Sequence, residues 1–130
     1  MSYRKTILID FDGVLHSYDG EFSSQLGPPV EKSRHACVLL SRKFKLVCFT
    51  SRLLEQVEPW LKRYAFPDML VTNEKLPAFL IIDDRAITFK GAWTDEFLEE
   101  VKQFKPHWQH VALADDPTQF DGESDSFNLS

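Results

Sequence analysis

The sequence predicts an α/β fold: a single Rossmann-like domain with a mainly parallel central sheet, helices on both faces and no cap domain. Three observations predict it. Aliphatic and β-branched runs recur as TILIDFDG (6–13), KLVCFTSR (45–52) and AFLIIDDR (78–85), each ending in acids, hydroxyls or arginine. These runs are nearly continuous in apolar residues, which suits strands buried on both sides in a parallel sheet covered by helices. Helical spacing fills the intervals between them, giving the alternation of an α/β domain.

Taken in order, TILID supplies the first strand. PPVEKSRHACVLLSRKF (28–44) can form a helix opened by proline, with Val30, Ala36, Cys37, Leu39 and Leu40 on its core face. KLVCF supplies the second strand. Leu53, Val57, Trp60, Leu61 and Tyr64 then follow helical spacing, and Pro59 must start or kink that helix. Its aromatic residues read as core. Short strands are expected at DMLVT (68–72), in the run leading to IIDD, and at 86–89. Thr94 is the expected N-cap of a last helix, with Phe97, Val101 and Phe104 on one face and Pro106 beyond it.

With 130 residues and 43% hydrophobic content, the chain can build one packed core. No apolar run approaches the ~20 residues that span a bilayer. The N-terminus leads from basic residues directly into a strand-like run, so the expectation is a cytoplasmic protein without a signal peptide or membrane partner. Cys37 and Cys48 sit among apolar neighbours and read as small buried hydrophobes, which fits a reducing compartment. The net charge of -5 has one source: residues 115–130 hold five acids and no base. We therefore expect a neutral folded domain over 1–114 and a flexible acidic tail over 115–130. The neutral body offers no basic surface for a nucleic-acid backbone.

In an open parallel sheet, ligands bind beyond the carboxyl ends of the strands, where strand order reverses. The first strand here ends in Asp10 and Asp12, the second in Thr50, Ser51 and Arg52, and the fourth in Asp83 and Asp84, with Lys75 just ahead of it. Four carboxylates crowded at one sheet edge require a divalent cation or protonation. Oxygen-only donors suit Mg²⁺, with Asp10, Asp12, Asp83 and Asp84 as candidate ligands. Adjacent strand residues face opposite ways, which favours Asp84 as the direct ligand and leaves Asp83 to act through water or to orient Lys75.

Asp10-Phe11-Asp12-Gly13-Val14, Thr50, Lys75 and Asp83-Asp84 resemble the four ordered motifs of the haloacid-dehalogenase (HAD) superfamily, over residues 6–91. Lys75-Leu76-Pro77-Ala78 with IIDDRAITFKG also resembles small HAD proteins of bacteria and phages. The resemblance implies a Mg²⁺-dependent phosphohydrolase that works through an aspartyl-phosphate. Asp10 would attack phosphorus, and Asp12 would protonate the leaving oxygen and then activate water, its carbonyl also reaching the metal. Thr50 would hold a phosphoryl oxygen through its hydroxyl and backbone N–H, with Ser51 beside it, and Lys75 would offset the negative charge. Gly13 suits the sharp turn after the nucleophile. Motif order separates this pattern from a receiver-like signalling domain, in which the acid pair comes first. The alternative is a non-catalytic phosphate-binding module on the same fold.

Arg52 and Arg85 read as structural ion-pair partners, and His107 with His110 lacks a third metal ligand. His16 reads as a loop residue able to touch substrate. Between Asp12 and Thr50 only residues 16–28 (HSYDGEFSSQLGP) are left over for a flap, and between Thr50 and Lys75 nothing is spare. An uncapped site admits a phosphoester on a nucleic-acid end. It equally admits a small molecule covered by a neighbouring subunit of a homo-oligomer. The IIDDR and D-x-D-G-V segments also resemble parts of deoxyribonucleotidases and polynucleotide 3′-phosphatase domains, which implies a nucleotide or nucleic-acid 3′-phosphate.

Overall fold

The computed structural model describes residues 3–109. The acidic tail, the boundary expected at 114 and His110 lie outside the described residues. The chain divides into two compact units, Met1–Asp84 and Arg85–Ser130.

The first unit is built on a four-stranded, all-parallel sheet of order β3-β2-β1-β4, which is the parallel α/β architecture expected from the sequence. Its strands are β1 (Thr6–Asp10), β2 (Lys45–Phe49), β3 (Leu70–Thr72) and β4 (Leu80–Ile82). Ile7, Leu8 and Ile9 of β1 and Leu46, Val47 and Cys48 of β2 are all buried. Their near-continuous apolar runs thus correspond to strands covered on both faces. On the outer strand β4, Leu80 and Ile81 are 46% and 40% exposed, so the third run is not buried on both sides as its composition suggested.

Helix α1 (Ser33–Ser41) is shorter than the 28–44 segment. Lys32 adopts φ 68, a left-handed conformation that a continuing helix cannot contain, so Pro28 and Pro29 fall outside. Pro29 instead bridges to His16. The buried face runs through Ser33, Cys37 and the partly buried Leu40, spaced by four and three residues, while Leu39 is exposed. Helix α2 (Leu54–Arg63) buries Val57, Trp60 and Leu61 as its spacing predicted, with Pro59 inside it. Proline has no N–H, so the Glu55 carbonyl loses its usual helical donor. Cys37 and Cys48 are free and buried.

In the second unit, helix α3 (Asp95–Lys102) begins after Thr94, whose hydroxyl accepts from Phe97 N–H at 3.1 Å. The strand expected at 86–89 is absent. Phe89 packs its ring against Trp93 and Phe97 at centroid distances of 5.1 and 5.5 Å, a local aromatic cluster in place of sheet pairing. Among the described residues no helix is long and apolar enough to cross a membrane.

Candidate metal and acid–base site

Strand order places the site. The chain runs from β1 through β2 to β3 on one side, then returns past β1 to add β4 on the other, so order reverses at β1. Ile9 pairs with Ile82, and the next residues on these neighbouring strands are Asp10 and Asp83. Asp10 also pairs with Phe49, which brings Thr50 level with Phe11. The carboxyl ends of three strands are therefore in register at the reversal point.

Asp10, Asp83 and Asp84 come together there, and one carboxylate oxygen from each lies within 4.8 Å of the others. Asp84 Oδ1 is sealed from solvent. The pKa of Asp10 is pushed up to about 8 by burial, a hydrogen bond with Asp84 and the charges of Asp83 and Asp84, against a smaller opposing effect of the Phe11 backbone. Asp10 thus holds a proton near neutral pH when no cation is bound. An all-carboxylate donor set fits a hard divalent ion such as Mg²⁺.

Asp12 stands in a different environment two residues away. Phe11 between them is fully buried, and its carbonyl accepts from the N–H groups of Val14, Leu15 and His16 at 3.3, 3.0 and 2.9 Å. Gly13 supplies the positive φ (88°) that this tight turn needs. The turn carries His16 back to Asp12, where Nδ1 lies 2.8 Å from Oδ1. Arg52 Nε, reaching over from the end of β2, donates to both Asp12 oxygens at 3.1 and 2.8 Å. Burial alone would raise the pKa of Asp12. The hydrogen bonds of His16 and Arg52, with the arginine charge, outweigh burial and hold it below the usual carboxylate range.

Thr50 is buried, and its hydroxyl oxygen accepts from Arg52 N–H at 3.0 Å, which leaves the O–H able to donate. Its backbone N–H, expected to reach a phosphoryl oxygen, is instead committed to Thr72 carbonyl at 3.0 Å in a continuation of the sheet ladder. Asn73 Nδ2 donates to the carbonyls of Thr50 and Arg52 at 2.6 and 2.8 Å and pins the loop. Ser51 is exposed beside it. Lys75 is also exposed, in the loop between β3 and β4, and forms no ion pair with these acids among the described residues.

Arg52, read from sequence as a structural ion pair, is that and more. It is 2% exposed, donates from Nη1 to Ser23 carbonyl at 2.6 Å and lies 4.3 Å from the Phe22 ring centroid. His16, read as a loop residue, is buried. The signals available were spacing, His16 four residues after Asp12, and the place of Arg52 at the end of the strand beside β1. Arg85 lies over the Trp108 ring at 5.0 Å.

Residues 16–28 form the flap that spacing left over. His16, Tyr18, Phe22, Gln25 and Arg52 are among the residues lining a cavity of about 380 Å³ under it. A larger hollow of about 950 Å³ lies at the amino ends of the strands, around Arg4, Lys45 and Leu70, far from the acids.

No protein-family model and no curated protein matches the sequence. A solved structure of a conserved protein from Bacteroides thetaiotaomicron is similar, with a TM-score of 0.54 and 22% identity over 90% of this chain and 100% of that one. The likeness establishes the fold and goes no further.

Proposed function

We propose that this chain is a Mg²⁺-dependent phosphomonoester hydrolase of HAD type, with Asp10 as the nucleophile. The observation that carries the reading is the meeting of Asp10, Asp83 and Asp84 within 4.8 Å at the point where strand order reverses. A bound Mg²⁺ would neutralise these carboxylates and the phosphoryl oxygens.

The chain's own groups support two displacements. Asp10 attacks phosphorus as the ester P–O bond breaks, and the leaving oxygen takes a proton from Asp12. Asp12 then accepts a proton from water, which attacks the aspartyl-phosphate, freeing Asp10 and inorganic phosphate. Arg52 and His16 favour the anion of Asp12, which suits the second step. The Thr50 hydroxyl, whose oxygen accepts from Arg52 N–H, would donate to a phosphoryl oxygen, with Ser51 beside it. Lys75, on an exposed loop, would offset the negative charge. That exposure is the one observation favouring the second reading, a phosphate-binding module without turnover.

Hydrolysis of p-nitrophenyl phosphate with Mg²⁺, repeated in EDTA and with Asp10→Asn, tests the proposal. Turnover lost in both controls is expected. Phosphate binding without turnover across mononucleotides, sugar phosphates and 3′-phosphorylated oligonucleotides would leave the module reading standing instead.

A further inference from the structure

His16 is held at both ring nitrogens. Gly27 N–H donates to Nε2 at 2.9 Å, so Nε2 is the acceptor and the ring proton belongs on Nδ1. Nδ1 then donates to Asp12 Oδ1 at 2.8 Å. The ring stacks flat on Phe11, 5.0 Å between centroids and 4° between planes, and meets Trp60 edge-on at 5.7 Å. Trp60 Nε1 donates in turn to Gly27 carbonyl at 2.9 Å, so one residue of the flap is tied to the indole through its carbonyl and to the imidazole through its N–H. The side chain is 5% exposed. Nothing in this arrangement leaves the imidazole free to rotate or to exchange its tautomer without breaking a buried hydrogen bond.

We propose that His16 is a positioning residue for Asp12: a neutral imidazole, its tautomer set by Gly27 N–H, that fixes the orientation of the Asp12 carboxylate and makes it depend on a seated flap. The catalytic consequence rests on the phosphohydrolase reading; the hydrogen-bond relay does not. Arg52 supplies charge to the same carboxylate, but its single Nε–H is shared between the two oxygens, whereas the imidazole adds a separate donor directed at Oδ1 alone. The imidazole is the donor that Arg52 cannot replace.

Two experiments test this. In a long-range ¹H–¹⁵N correlation spectrum of the metal-free protein, His16 should carry its proton on Nδ1 with Nε2 bare. An Nε2–H tautomer overturns the relay. In steady-state hydrolysis of p-nitrophenyl phosphate with Mg²⁺, His16→Phe keeps a stacking ring but donates nothing. It should lower kcat about 10- to 100-fold with KM changed less than about twofold. His16→Asn can place an N–H near the former Nδ1 without a stacking ring, and should recover most of that loss. The opposite order, an active Phe variant and an inactive Asn variant, reduces the ring to packing and sinks the proposal. A wild-type protein that turns over no phosphoester is a failure of the phosphohydrolase reading, and the spectrum still decides whether His16 holds Asp12.

Discussion

Asp10 and Asp12 are separated by one residue and have pKa values shifted in opposite directions, because Phe11 turns them into unlike surroundings. Asp10 faces two other acids, and Asp12 faces a guanidinium and an imidazole. Each has a consequence for stability that follows from sign. The folded protein holds the Asp10 proton up to about pH 8, whereas the unfolded chain releases it near 3.8, so stability falls as pH climbs through that window. Asp12, with its pKa lowered from 3.8, stabilises the fold above that value and ceases to do so as pH drops below it. Metal-free protein should therefore melt at a lower temperature at about pH 8 than at about pH 5. Asp10→Asn should flatten the difference and raise the pH 8 melting temperature by roughly 3–5 °C, corresponding to about 1 kcal/mol. A melting temperature independent of pH in the wild type would contradict the crowding of the three acids. At this scale much of the site was legible, since D-x-D and D-D at the ends of apolar runs mark acids at a sheet edge. The partners of Asp12 were not. Which cation reaches a carboxylate depends on a turn and on strand adjacency, and neither is written in the residues 12–16 or 50–52 alone. Lys75 shows the converse: its place in the chain suggested a role, while its side chain is exposed and makes no ion pair with the acids among the described residues.

Elements were legible where pattern and end signal agreed. β1 and β2 emerged from their apolar runs, α2 from spacing that tolerated Pro59, and α3 from Thr94. The α3 cap gives a direct prediction: Thr94→Ala removes the acceptor for Phe97 N–H and should destabilise the helix by about 1 kcal/mol. Hydrogen exchange at the Phe97 amide should accelerate roughly fivefold, with the amides of β1 unaffected. Unchanged exchange would mean that the amide has another acceptor. Two expected elements failed for physical reasons. The helix expected over 28–44 was cut at Lys32 by a left-handed residue, which composition does not announce for lysine. The strand expected at 86–89 gave way to the Phe89, Trp93 and Phe97 cluster, because aromatic rings can satisfy each other locally as well as across a sheet.

For the whole molecule, the sheet order β3-β2-β1-β4 decides both where the acids meet and when. β1 pairs first with β2 across one helical connection, but with β4 only after the chain has traversed α1, β2, α2 and β3. Closing that longer loop costs more entropy, so the β1–β4 pairing is expected late. Mg²⁺ should then slow unfolding and leave the folding rate unchanged, since ligands that assemble after the transition state affect only the return path. Stopped-flow chevrons with and without the ion check this; a folding limb accelerated by Mg²⁺ would place Asp83 and Asp84 in the nucleus. The same separation matters during synthesis. A ribosome delivers Asp10 with the first strand and Asp83 and Asp84 only after the fourth, so through most of translation Asp10 lacks the two carboxylates that crowd it in the fold. A polypeptide that stalls before Asp83 can pair three strands, yet it has no acid cluster with which to capture an ion.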